Sequence, residues 1–167
     1  MNTKQISSIY LTSIFQPWYR NNVFSEILDD DHPLCFFQLQ TKHNYTIHQY
    51  IKYMFVWFNT NDQASEMLIS TQIYLERLFY NIARKYGTEI VFTHTTIIPL
   101  FFTCFLLASK YNLDDSLSNK DMSKFLFGEN SAIKTINELE IIMLQYLDYR
   151  LYISPEQFQR YSSFFSK

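Results

Sequence analysis

An all-α fold is the expectation for this chain, and three observations carry it. Only two glycines and four prolines occur in 167 residues, which leaves few of the turns that β-hairpins use. No segment alternates apolar and polar residues for long enough to read as a half-buried strand. The caps and breakers that do occur fall where helix ends require them. This length suits one domain with a real core and is short for two ordinary ones. Hydrophobic residues make up 47% of the chain and charged residues 18%, a balance that excludes global disorder. The expected architecture is a set of five central helices around a buried middle helix, with one flanking helix at each end.

Taken in order, Thr3 to Tyr19 carries Ile6, Ile9, Tyr10, Ile14 and Phe15 in a loose helical stripe that stops near Pro17, and this predicts the first flanking helix. Asp29-Asp30-Asp31-His32-Pro33 reads as a charged turn, and Leu34 to Asn44, which lacks a period, as a connecting loop. Thr46 and Gln49 have the spacing of a capping box and start a helix that runs to about Phe58. Asn59 to Asp62 is a turn followed by a cap. The next helix places Leu68, Thr71, Leu75, Leu78, Ile82 and Tyr86 on one face and closes at Gly87.

A short loop through Glu89 to Thr95 leads to Ile97–Lys110, a run apolar on all sides that only a surrounded, central helix explains. Pro99 is tolerated there if it lies in the first turn, where the N–H groups have no helical partner in any case. Ser118-Asn119-Lys120-Asp121 caps a short helix that ends at Gly128. A longer helix from about Ser131 to Leu147 lines up Ile133, Ile136, Glu140, Met143, Leu144 and Leu147. Ser154, Pro155 and Gln157 combine a cap, a first-position proline and a third-position glutamine, so the last helix begins there. The expected division is 1–45 for the first flank and loop, 46–153 for the central helices and 154–167 for the last helix.

Composition narrows function by exclusion. A formal net charge of −2 supplies no basic field for nucleic acid or anionic lipid, so neither partner is expected. Ile97 to Ala108, the longest apolar run, contains Pro99 and falls short of the roughly 18 to 20 residues of a membrane span. The opening string MNTKQISSIYLTSIFQPWYRNN lacks the features of a secretory signal, and of the two cysteines Cys104 lies in the apolar string LFFTCFLLAS; a reducing cytosolic or nuclear setting fits. Asn44-Tyr45-Thr46 then reads as a chance sequon. The four histidines, His32, His43, His48 and His94, have no metal-ligand spacing, and the Asp29–Asp31 run reads as a solvated turn. Neither a phosphate loop nor a nucleophile elbow is present, so no catalytic residue, metal or cofactor is expected. The 13 tyrosines and 16 phenylalanines exceed what a core of this size hides. They predict either an exposed patch for a partner or an aromatic-heavy core with hydroxyls at its rim.

Lys110 ends the most apolar segment, and Glu140 lies on a stripe otherwise fit for burial. An unpaired half-buried ion costs several kcal/mol, so the two helices are expected to pack side by side with these charges meeting. The plainer alternative puts Glu140 at the solvent edge and lets Lys110 snorkel off its helix end.

The string STQIYLERLF, with Tyr74, Glu76 and Arg77, resembles the Tyr-Ile-Asp-Arg pattern on the second helix of the cyclin box, with Glu76 standing where Asp is usual. LFFTCFLLASKYNLDDSLSNKDMSKFLFG is similar to helices three and four of the phosphate-regulatory, or P/U-type, cyclins. INELEIIMLQYLDYRLYISPEQFQRY resembles that group's fifth helix and exit. The resemblance implies a five-helix cyclin box in a single copy, without the second helical repeat of mitotic cyclins. It implies a non-catalytic regulatory subunit whose partner is a cyclin-dependent protein kinase. By the family pattern, Lys110, Tyr111, Glu140, Leu144, Tyr149 and Leu151 face the kinase, while Tyr74, Glu76 and Arg77 are structural. The first-helix string YIKYMFVWFN lacks the substrate-docking motif of cell-cycle cyclins, and no destruction motif of their kind is present. Rival readings are a cyclin-fold transcription factor and a helical adaptor that binds no kinase.

Overall fold

The computed structural model describes residues 31–58, 63–87, 93–128 and 130–165. Among the described residues the chain forms a short 3-10 turn, Cys35–Phe37, and six α-helices, with no strand: α1 (Ile47–Phe58), α2 (Ala64–Tyr86), α3 (His94–Asn112), α4 (Asn119–Phe127), α5 (Ile133–Tyr146) and α6 (Pro155–Phe165). The all-helical expectation holds. The expected helix from Thr3 to Tyr19 and the cap at Asn59 to Asp62 lie outside the described residues.

Local chemistry sets most helix ends. Before α1, the Thr46 N–H donates to Gln49 Oε1 at 2.8 Å and the Gln49 N–H to Thr46 Oγ1 at 3.3 Å, a reciprocal pair that satisfies two otherwise orphaned donors. Ser118 and Asp121 do the same for α4. Gly87 and Gly128 close α2 and α4 with φ of 62° and 80°, values that cost a glycine nothing.

Helix α3 departs from expectation at its start. Its cap is Thr93, which exchanges hydrogen bonds with Thr96, so the helix begins at His94 rather than near Ile97. Pro99 therefore lies past the first turn, where its missing N–H leaves the Thr95 carbonyl without a helical donor. Leu39 in the loop after the 3-10 turn supplies the replacement, its N–H lying 3.3 Å from Thr95 O. The segment that has no period is thus part of the core: Leu34 and Phe37 are completely buried, Tyr146 Oη donates to Pro33 O at 2.7 Å, and Lys42 N donates to Leu126 O at 2.7 Å.

Residues 96–109 of α3 are buried on every side, as a central helix requires, and α1, α2, α4 and α5 all pack on it. The first half of α2 is equally enclosed, from Met67 to Leu75, because α3, α5 and α6 cover it from different directions. The hydroxyls this buries find helical carbonyls: Thr71 donates to Met67 O and Thr103 to Pro99 O, each at 2.7 Å. The aromatic surplus divides between core and surface. Tyr50, Phe102 and Phe125 form a buried cluster with ring centres 5.1–5.9 Å apart, whereas Tyr80, Tyr111, Tyr149 and Tyr152 are exposed.

Candidate functional site

Lys110 and Glu140 reach the surface by different routes. Lys110 sits in the last turn of α3, just past its buried stretch, where a cation also complements the helix dipole. Glu140 lies one residue beyond buried Leu139 on α5. Because α3 and α5 pack side by side, Lys110 Nζ comes within 2.5 Å of Glu140 Oε1, with side chains 33% and 15% exposed. The second carboxylate oxygen accepts from Asn119 Nδ2 at 2.9 Å, and Asn119 also donates to Asn137 Oδ1 at 2.5 Å. Glu140 is thereby held by two helices at once, which fixes the direction of its remaining lone pairs.

Asn119 is the residue that sequence reasoning missed. It follows the cap of α4 and shows no pattern of its own; only the packing of α4 on α5 brings it to Glu140. Ser109 is a second such residue. Fully buried, it accepts from Leu117 N at 2.9 Å and so sets the path of the chain between α3 and α4.

The remaining candidates gather at the exit from α5. Tyr111, Tyr149 and Leu151 line one open cleft of about 670 Å³, together with Arg77 and side chains of α2. Leu144 is half-buried and packs on the core, so it is not among the cleft residues. Lys110 and Glu140 are absent from that lining as well. Asp148 and Tyr149 both adopt left-handed backbone, with φ of 51° and 56°, which turns the chain sharply after α5 and leaves Tyr149 exposed.

Tyr74, Glu76 and Arg77 hold that exit in place. Tyr74 is fully buried, and its hydroxyl donates to Leu151 O at 2.9 Å. Burial pushes this hydroxyl above the ordinary tyrosine range, with Arg77 opposing the effect. Arg77 donates to Arg150 O at 2.8 Å, to Tyr152 O at 2.9 Å and to Gln157 Oε1 at 2.7 Å. The amide oxygen of Gln157 is therefore spent on α2, although its N–H still takes the Ser154 cap at 3.2 Å. Glu76 accepts from Gln72 Nε2 at 2.5 Å and from the Tyr161 hydroxyl, tying α6 to α2. Asn81 adds a bond to Tyr146 O at 2.9 Å.

Among the described residues, no group of three or more His, Cys, Asp or Glu side chains could hold a metal ion, and no helix is long and apolar enough to cross a membrane. The arrangement places a charged couple at the α3–α5 edge and exposed tyrosines at the α5 exit. A family model described as "Cyclin, N-terminal domain" matches residues 22–152. Neither the search of curated proteins nor that of solved structures finds a match.

Proposed function

The chain belongs to the cyclin family, and from that premise we propose that it is a non-catalytic regulatory subunit that binds and activates a cyclin-dependent protein kinase. The observation that carries the reading is the Lys110–Glu140 couple, held at 2.5 Å where α3 and α5 meet solvent. A couple already oriented by Asn119 has donors and acceptors left for a partner's backbone and loses little side-chain freedom on binding. The exposed Tyr111 and Tyr149 supply aromatic surface of the kind in which interface energy concentrates, and by the family pattern Leu144 and Leu151 add apolar contact.

Activation follows as a population shift. A kinase alone occupies a state in which its regulatory helix is swung out and the Lys–Glu pair over the phosphates is unmade. A subunit that binds the assembled state better moves the equilibrium, and taking that state from rare to dominant requires about 5 kcal/mol of differential affinity. The phosphate-regulatory group is the finer placement we favour, on the strings running from Leu100 to Gly128 and from Ile136 to Tyr161. A cytosolic or nuclear location goes with such a partner.

Affinity capture from the source cell tests this. The unaltered chain should retain a protein kinase, and Lys110→Ala or Glu140→Ala should lose it while remaining folded. Capture of no kinase, or full retention by both variants, removes the proposal.

A further inference from the structure

The open cleft between α2, the α5 exit and α6 shares Tyr111, Tyr149 and Leu151 with the proposed kinase-binding face, but it carries a charge that the Lys110–Glu140 couple does not use. Its volume of about 670 Å³ falls in the range of functional pockets. Three arginines line it, Arg77, Arg84 and Arg150, against one carboxylate, Asp148, whereas the whole chain carries a net charge of −2. Positive charge is thus concentrated here against the overall balance.

The arginines are differently placed to use that charge. Arg77 spends its donors on neutral oxygens of Arg150, Tyr152 and Gln157, so its field in the cleft is not cancelled by a counter-ion. Arg84 lies 3.9 Å from Asp148, with the two side chains 66% and 50% exposed; a pair so long and wet contributes little and exchanges readily for a better anion. Its guanidinium also stands 6.0 Å from the Tyr80 ring centre. Arg150 is exposed. Around these charges Tyr80, Tyr149 and Tyr152 are each about two-thirds exposed, at 67%, 67% and 68%. Rings and guanidinium groups of this kind suit a ligand in which anionic and apolar groups alternate.

We propose that this cleft binds an acidic peptide segment, one in which carboxylates alternate with aromatic or apolar side chains. A peptide is favoured over nucleic acid because a polyanion would meet the net negative charge of the rest of the surface, while a short segment senses only the local field. The proposal rests on the lining of the cleft itself and does not depend on the kinase reading.

Fluorescence anisotropy tests it with the full chain and three labelled probes: a peptide alternating Glu and Phe, its Lys and Phe counterpart, and oligothymidylate. The Glu peptide should bind, weaken with added salt, and bind about tenfold or more weakly to the double variant Arg84→Ala, Arg150→Ala. Both positions are exposed, so circular dichroism should show the variant folded; Tyr80→Ala, a second exposed change, should weaken binding too. Equal binding of the Glu and Lys peptides, oligothymidylate binding as tight as the Glu peptide, or undiminished binding by the folded variants each overturns the proposal.

Discussion

The Tyr74 hydroxyl donates to the carbonyl oxygen of Leu151 at 2.9 Å across 77 residues of chain. A buried side chain of α2 thereby positions the backbone of a residue on the proposed kinase-binding face. Tyr74→Phe keeps the ring and removes the donor, and should lower unfolding free energy by about 1 kcal/mol, seen as a lower urea midpoint. Arg77→Ala removes three bonds to the same exit and should cost about 2 kcal/mol. The two changes together should cost less than their sum, because once the exit is released the second anchor has less to hold.

The charged couple should matter more for binding than for stability. Lys110→Ala leaves the Glu140 carboxylate, only 15% exposed, without its counter-ion and should lower stability by about 1 to 2 kcal/mol. Glu140→Ala should cost about as much, because Lys110 can turn to solvent but Asn119 loses an acceptor. In affinity for the kinase, measured by calorimetry or surface plasmon resonance, either change should cost about 2 kcal/mol or more, some thirtyfold.

The left-handed turn after α5 gives a change in the opposite direction. Asp148 holds a φ of 51°, which glycine adopts freely, and its ion pair with Arg84 spans 3.9 Å. Asp148→Gly should therefore raise stability by about 0.5 kcal/mol. Gly87→Ala, at φ 62° with open space around the missing Cβ, should lower it by about 1 kcal/mol through backbone strain alone. Thermal melts of the two variants should move apart.

Alkaline pH should destabilise the fold through tyrosines whose ionisation is raised, Tyr146 and Tyr161 first and the more deeply buried Tyr74 beyond them. Burial, reinforced by Tyr86, pushes Tyr146 up to about 12, and burial together with its bond to Glu76 pushes Tyr161 up to about 12. Each ordinarily ionises near 10, so the unfolded chain releases these protons first. The stabilisation is complete below pH 10 and is lost as pH rises towards 12. Melting temperature should fall over that window, and Tyr161→Phe should make the fall shallower; an unchanged slope would contradict the assignment.

Cys104 is fully buried, and burial raises its thiol above the ordinary range. A thiol reagent should leave it untouched in the native protein and modify it at the rate of unfolding, which mass spectrometry of the labelled chain will show.

The legible part of this protein lies within a few residues of each signal. Thr46 with Gln49, Ser118 with Asp121, and Gly87 and Gly128 mark helix ends by chemistry that acts over one turn, and the unbroken apolar run after Ile97 announces a surrounded helix. The start of α3 was harder to read, because threonine in place of Glu or Gln at the third position conceals the Thr93–Thr96 box. The enclosure of α2 from Met67 to Leu75 was hidden as well: a periodic stripe shows which face must be buried, and says nothing about whether α6 will cover another.

By itself, then, the amino-acid sequence determined the helices of the described residues, most of their caps, the central place of α3 and the need of Lys110 and Glu140 for partners. Tertiary structure alone decided that those two charges meet, that Asn119 joins them, and that Arg77 grips the carbonyls of Arg150 and Tyr152. The division follows from range. Caps and periodicity are energies of neighbouring residues, whereas these contacts join positions 21 to 75 residues apart and exist only once the packed core has brought separate helices to one edge.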